Sequence, residues 1–281
     1  MSSGPAWRSS AARAQIMDEV ARYNSERWEK MVRAGAVFTR PQLDLTPEEA
    51  LDWADPKRQL GEVAGKDVLV LAGGGGQQSA AFGLLGARVT VMDLSDAQLE
   101  GDRTAAAHYG LTLRTEQGDM RDLARFADGS FDIVAQPYSI NFVPEVKLVF
   151  QGVARVLRPG GYYDFNCANP FVAGLTDNAW DGTGYPLTRP YVDGDVIVYH
   201  DEPWVFRGDL PAEAFGGPKE YKHTLGTLVN GLLEAGLVLQ HLREETLGEP
   251  DITAPPGSSE HFSAVAPRWL RFCARKAAVT L

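Results

Sequence analysis

The chain predicts an α/β fold, doubly wound around a mostly parallel sheet, and two observations carry that expectation. Short apolar, β-branched runs alternate with helical segments from Lys66 onward, which is the rhythm of parallel strands joined by crossover helices. Four consecutive glycines, Gly73–Gly76, follow the first of those strands directly, where an open parallel sheet receives ligands beyond its carboxyl edge. The 281 residues suffice for one large α/β domain with insertions, and no internal repeat divides them.

Taken in order, residues 1–14 (MSSGPAWRSSAARA) read as a disordered tail, and 15–60 as a helical cap segment ahead of the main domain, 61–281. Ile16, Val20, Tyr23, Trp28 and Val32 recur at helical spacing, and Thr46-Pro47-Glu48-Glu49 combines an N-cap, a first-turn proline and two acids. The first strand spans Lys66–Ala72, and the glycine loop leads into the helix QQSAAFGLLG, closed by Gly86. Arg88–Asp93 is the second strand, and Ser95 caps a helix that Gly110 ends. Thr112–Glu116, Phe131–Gln136 and Gly161–Asn166 are strands three to five, with a helix in VKLVFQGVARVLRPGG stopped by Pro159 and two glycines. Residues 171–222, rich in Gly, Pro and aromatics, break the rhythm. They read as a cover over the carboxyl edge, with a hairpin of VIVYH and WVFRG around Asp201-Glu202-Pro203. A helix over 223–236, a strand over 237–244, a loop containing APPGSSEH and a strand over 269–276 complete the chain. The last two strands, joined by a loop alone, suit antiparallel neighbours.

Composition narrows the function. The hydrophobic fraction of 44% and charged fraction of 23% are those of a soluble globular protein. No apolar stretch approaches the roughly 18 residues a spanning helix needs. A formal net charge of −10 opposes a nucleic-acid partner. The first residues lack the apolar core of a secretory signal, and Cys167 and Cys273 read as buried free thiols, so the expected setting is the cytoplasm, away from membranes.

The strand ends carry the chemistry. Asp93, at the tip of strand two, suits a bidentate hydrogen bond to two adjacent ribose hydroxyls, since Ser95 is the better helix cap. Asp119 in QGDMRDL is a candidate acceptor for an adenine amino group, with Met120 packing on the ring; the alternative for Gly118-Asp119 is a simple turn. VLVLAGGGGQQS, VTVMDLS, QGDMRDL, FDIVAQPYS and VARVLRPGGYYDF, in this order, resemble the class I S-adenosylmethionine-dependent methyltransferases over about residues 60–170. HTLGTLVNGLLEAGL and WLRFCARK add a weaker echo. The resemblance implies a seven-stranded sheet in order 3-2-1-4-5-7-6 with strand seven antiparallel, and S-adenosylmethionine as cofactor. It places the methionine moiety on the glycine loop (Ala72, Gly74, Gly76), the ribose on Asp93 beside Leu94, and the adenine at Asp119 and Met120. Two positions depart from the family pattern: Val70 stands where an acid is usual and Ala72 where the first glycine is. Gln77, Gln78 and Gln136 are candidates for the polar contacts the missing acid would make. A dinucleotide loop of the Gly-x-Gly-x-x-Gly type is the competing reading, and neither register of the run supplies its third glycine.

The implied activity is methyl transfer by in-line displacement to a small-molecule acceptor; a cofactor-binding enzyme of other chemistry, or a non-catalytic binding protein, is the alternative. Oxygen and nitrogen acceptors often need a base. Of the five histidines, His200 and His223 belong to the segments expected over the carboxyl edge and are the catalytic candidates, against structural hydrogen bonds. QPYS at 136–139 partly resembles the Asn/Asp-Pro-Pro-Tyr motif of amino-methylating enzymes. Tyr23, Trp28, Tyr138, Asn141 and Trp204 are the candidate acceptor contacts, in a pocket suited to a partly apolar molecule. No metal ligand set is visible.

Overall fold

The computed structural model describes residues 18–198 and 216–278. Its centre is a seven-stranded sheet of β1 (Asp67–Leu71), β2 (Arg88–Asp93), β3 (Leu113–Gln117), β4 (Phe131–Gln136), β5 (Leu157–Ala168), β8 (Leu237–Glu245) and β9 (Trp269–Lys276). The order is β3-β2-β1-β4-β5-β9-β8. The first five strands are parallel, and β9 runs antiparallel to both β5 and β8. Counting only these seven, the order is the expected 3-2-1-4-5-7-6.

Alternation along β1 explains the layering. Val68 and Val70 point to one face and Leu69 and Leu71 to the other, and all four are fully buried. The first face packs under α2 (Pro47–Ala54) and α3 (Gln78–Leu84), the second under α5 (Val146–Val156) and α6 (Leu225–Glu234). In α5 the residues Val146, Val149, Phe150, Val153 and Val156 all fall on one buried stripe, the helical 3.6-residue period written in a sequence of hydrophobes. Thr46 and Glu49 form the complete capping box that starts α2, and Ser95 caps α4 (Asp96–Tyr109), which Gly110 ends in a left-handed conformation.

Helix α1 (Glu19–Arg33) lies across the carboxyl edge of the sheet. Asn24 donates to the Phe142 carbonyl at 2.9 Å and Ser25 to the Leu94 carbonyl at 3.3 Å. Glu29 accepts from the Ser95 hydroxyl and the Ala97 N–H, so α1 also holds the start of α4. The cover meets α1 from the other side, where Tyr23 donates to Gly217 and Arg27 to Gly216.

Within the cover, β6 (Val196–Val198) pairs antiparallel with β7 (Lys219–Tyr221). The second strand expected for the hairpin, WVFRG, lies outside the described residues. β7 falls in a stretch read as loop, because three residues carry too little pattern to announce a strand. The connection before β9 contains α7 (Ser259–Val265), capped by Ser258. The sequence predicts loop alone here, because about two turns of helix over seven residues escape a periodicity argument. Cys167 and Cys273 are buried and free. Among the described residues no helix is long and apolar enough to cross a membrane.

Candidate active site

A cavity of about 1550 Å³ opens along the carboxyl edge, between the loops that follow β1 to β4, helix α1 and the cover. Ala72, Gly74, Gln77, Gln78, Asp93, Leu94, Asp119 and Met120 line one end of it.

The glycine run divides in two. Gly73 and Gly74 face the cavity. Gly75 and Gly76 do not: they lie where the loop meets α4. A Cβ on Gly75 would stand 2.5 Å from Gln98 Oε1, and one on Gly76 would stand 2.6 Å from the Gly101 carbonyl oxygen. Gly101 is the reciprocal partner, its own Cβ position lying 2.5 Å from the Gly75 oxygen. Gly76, with φ of +94°, is thus demanded by backbone approach and left-handed conformation, away from the ligand space. Its N–H donates to Asp102 Oδ1 at 2.8 Å, and the same oxygen accepts from the Ser79 hydroxyl. Ala72, in the place of a first glycine, keeps the left-handed conformation at φ of +50°.

Val70, where an acid is usual, is fully buried, with its Cγ1 pressed under Gly73. The two glutamines behind the loop have different fates. Gln77 spends its amide on the carbonyls of Phe38 (2.9 Å) and Arg40 (3.1 Å), tying the loop to the chain after α1. Gln78 keeps a buried Oε1 without a hydrogen-bond partner beside Gly73. A buried acceptor of this kind is costly unless a donor arrives. The ammonium group of a methionine moiety is such a donor.

Asp93 is buried and accepts from the Ser95 N–H at 2.8 Å. Burial raises its carboxyl pKa to about 7, against the opposing bond from Ser95, and the charges of Asp102 and Glu29 push it the same way. Two hydroxyl donors would relieve that desolvation, which is what a ribose diol presents. Asp102, likewise buried, is raised to about 6, with the Ser79 and Gly76 bonds opposing.

Asp119 is bound at both oxygens by Arg121, with Nη2–Oδ2 at 2.6 Å. That leaves a ligand only the remaining lone-pair positions. Arg121 also reaches Asp18 and Glu145, both at 2.7 Å, and so clamps the loop after β3 to the start of α1. Burial disfavours the guanidinium charge, and the hydrogen bonds that Arg121 donates to these three carboxylates outweigh it, so the Arg121 pKa stands above its ordinary value. Met120 lines the cavity while its sulfur accepts from Gln136 Nε2 at 3.1 Å. Gln136 itself is outside the lining: its amide also donates to Ser139, and its oxygen accepts from Tyr163 at 2.6 Å.

The other end of the cavity has an aromatic wall. Trp28 stands edge-to-face between Phe38 and Phe142, with centroids at 5.8 and 5.5 Å, and Tyr138 stands edge-on to Phe142 at 6.2 Å. Tyr138 donates to Glu220 Oε2 at 2.7 Å across the joint between β4 and the cover. Tyr23 and Asn141 lie outside the lining and fasten the cover, Asn141 through the Tyr221 carbonyl and the Ala168 N–H. His223 also lies outside it; its Nε2 is 3.0 Å from the Val143 carbonyl. Burial lowers its pKa, with bonds to the Val143 and Ile140 carbonyls opposing. His200 and Trp204 fall outside the described residues. Glu220, a buried carboxylate facing the cavity, was not singled out in the sequence, and Lys219-Glu220-Tyr221 offers no signal that would find it. Among the described residues no group of His, Cys, Asp and Glu side chains could hold a metal ion.

Comparison with known proteins agrees with this arrangement. The profile of a family described as "Methyltransferase domain" matches residues 69–165. The uncharacterized methyltransferase YbaJ of Bacillus subtilis is 31% identical over 245 residues, covering 83% of the chain and 93% of that protein. A ubiquinone biosynthesis O-methyltransferase of Pseudomonas syringae pv. tomato is 32% identical over 130 residues, 46% of the chain and 54% of that enzyme. Among solved structures, an S-adenosylmethionine-dependent methyltransferase of Mesorhizobium loti superposes with a TM-score of 0.62 at 25% identity, covering 82% of the chain and 100% of that protein. With this fold and these relatives, the chain belongs to the class I S-adenosylmethionine-dependent methyltransferases, with S-adenosylmethionine as its cofactor.

Proposed function

We propose that the protein transfers a methyl group to a small-molecule acceptor by in-line displacement, with the acceptor held against the aromatic wall. The observation that carries this reading is the continuity of one cavity from Asp93 and the glycine loop to Trp28, Tyr138 and Phe142. The relatives named as ubiquinone biosynthesis O-methyltransferases support a small acceptor, and the net charge of −10 supports one that is not a nucleic acid.

When bound, the cofactor supplies an electrophilic methyl group on a sulfonium. In this reading Gln78 Oε1 and the backbone at Ala72–Gly74 hold the methionine end, Asp93 the ribose, and Met120 with Asp119 the adenine. Helix α1 and the cover close over both molecules and exclude water, and the aromatic wall orients the acceptor. Because His223 is committed to backbone carbonyls, its assignment as base has no support in its position, and it serves to join the cover to the chain after β4.

Calorimetry with S-adenosylmethionine and with NAD tests the reading. Binding of the first at micromolar levels and none of the second is the expected result. Failure of S-adenosylmethionine to bind at millimolar concentration would remove it.

A further inference from the structure

Gln98 lines the cavity together with Asp93 and Leu94, yet only 3% of it is exposed. It stands in the first turn of α4, and one residue ties it to the tip of β2. The Ser95 hydroxyl accepts from the Gln98 N–H at 3.3 Å, and the Ser95 N–H donates to Asp93 Oδ1 at 2.8 Å. The two ends of the Gln98 amide have different surroundings. Oε1 is buried without a hydrogen-bond partner among the described residues, on the side of Gly75, where a Cβ would stand 2.5 Å from it. With the oxygen turned to the loop, Nε2 is the end left to the cavity. Leucine or methionine would fill the same space at less cost, because a buried amide oxygen without a donor has given up its bond to water. Packing of α4 against the glycine loop therefore does not account for an amide at this position. A ligand that needs a donor does.

We propose that Gln98 is a further cofactor-binding residue, donating from Nε2 to the oxygen of one ribose hydroxyl while that hydroxyl donates to Asp93. The assignment rests on the placement of the ribose at Asp93 in the reading above. A hydroxyl carries one hydrogen and two acceptor lone pairs, and an ionised carboxylate only accepts. Asp93 takes the hydrogens of both ribose hydroxyls and leaves their lone pairs to be met by donors. Gln98 has the complementary chemistry: its amide nitrogen carries two hydrogens, and it adds no charge to a region where Asp93, Asp102 and Glu29 already act on one another. The pairing also gives Gly75 a purpose. Gly75 lies outside the cavity lining, but a side chain on it would drive into the Gln98 amide. One turn further along α4, Asp102 holds the Gly76 N–H at 2.8 Å. The glycine loop, Gln98 and Asp93 are thus fixed to one another through the start of α4.

The test is calorimetry with S-adenosylhomocysteine and with its 2′-deoxy and 3′-deoxy analogues. Gln98→Met keeps the length of the side chain and removes the donor, and should weaken S-adenosylhomocysteine by about tenfold. The analogue that lacks the hydroxyl served by Gln98 should weaken by less than about twofold, and the other by the same factor as the parent. A merely structural role would weaken all three ligands alike. That result, or no loss for any of them, overturns the assignment. Gln98→Glu changes a single atom of the amide from donor to acceptor and should give the same pattern, so it decides the matter should Gln98→Met not fold. Undiminished affinity for S-adenosylhomocysteine in Gln98→Glu overturns the assignment as well, since the cavity would then be met by an acceptor. The wild type separates the two conclusions. Deoxy analogues that bind it as tightly as the parent remove the ribose from Asp93, whereas discrimination that Gln98→Met leaves unchanged removes Gln98 alone.

Discussion

The donor end and the acceptor end of the cavity are built from different kinds of chain. At the donor end every polar group follows a strand of the parallel sheet by a few residues, so its position is set locally: Gln78 after β1, Asp93 at the tip of β2, Asp119 after β3. At the acceptor end the groups come from places far apart in the sequence, with Trp28 on α1, Tyr138 beyond β4 and Glu220 in the cover, and only tertiary contacts unite them. A locally specified site depends on single residues, whereas an assembled one depends on how the cover is fastened.

That contrast can be broken at several points. Asp93→Ala removes the acceptor for two hydroxyls and should weaken S-adenosylmethionine binding by about 100-fold; a change below threefold in calorimetry would overturn the ribose assignment. Gly101→Ala forces a Cβ against the Gly75 oxygen, a backbone atom that cannot swing aside. It should destabilise the fold by about 2 kcal/mol in urea denaturation. At the acceptor end, Lys222→Met leaves the Pro190 carbonyl without its 2.7 Å donor. Hydrogen exchange in residues 190–198 should quicken by about tenfold while cofactor affinity stays within twofold. Equal damage to cofactor binding would mean that the two ends are not separable.

The pH dependence of cofactor binding sharpens the donor side. Asp93 in the free protein titrates near 7, far above its ordinary value, because burial disfavours its charge. Below that pH a proton occupies the carboxylate and must leave before it can accept two hydroxyl donors. Affinity should therefore rise with pH through 7, by at most about tenfold per unit on the acid side, and level off above it. In Asp93→Asn the profile over the same range should be flat. For folding the sign is the reverse: an acid raised by burial costs stability increasingly as pH rises from the unfolded value toward 7, so Asp93→Asn should gain stability at pH 8 relative to pH 5. The smallest effect is expected at Ala72, whose left-handed backbone suits glycine. Ala72→Gly should raise stability by no more than about 1 kcal/mol, the strain relieved being offset by the entropy of the freer unfolded chain.

Much of the fold was legible because its signals are local. The boundaries of β2, β4 and β9 follow from apolar runs ended by turn residues, and α4 from Ser95 and Gly110. That Asp93, Asp119 and Gln78 meet one cavity was legible for the same reason, since a residue just beyond a strand tip in a parallel sheet lies along its carboxyl edge. Not legible was the division of labour within it. Four adjacent glycines look equivalent in sequence, yet two meet the cavity and two meet α4, a difference created by Gly101 arriving from another element. Gln77 and Gln78 were equal candidates until the chain after α1 claimed one of them.

From sequence alone, then, came the doubly wound sheet and the position of Asp93 at its carboxyl edge, both consequences of short-range pattern and strand geometry. Which histidine faces which partner, and that a buried Tyr138–Glu220 pair stands in the cavity, was decided only in three dimensions. A hydrogen bond between residues 82 positions apart leaves no periodicity in the chain, and its existence depends on how an insertion with little regular structure packs against the edge of the sheet.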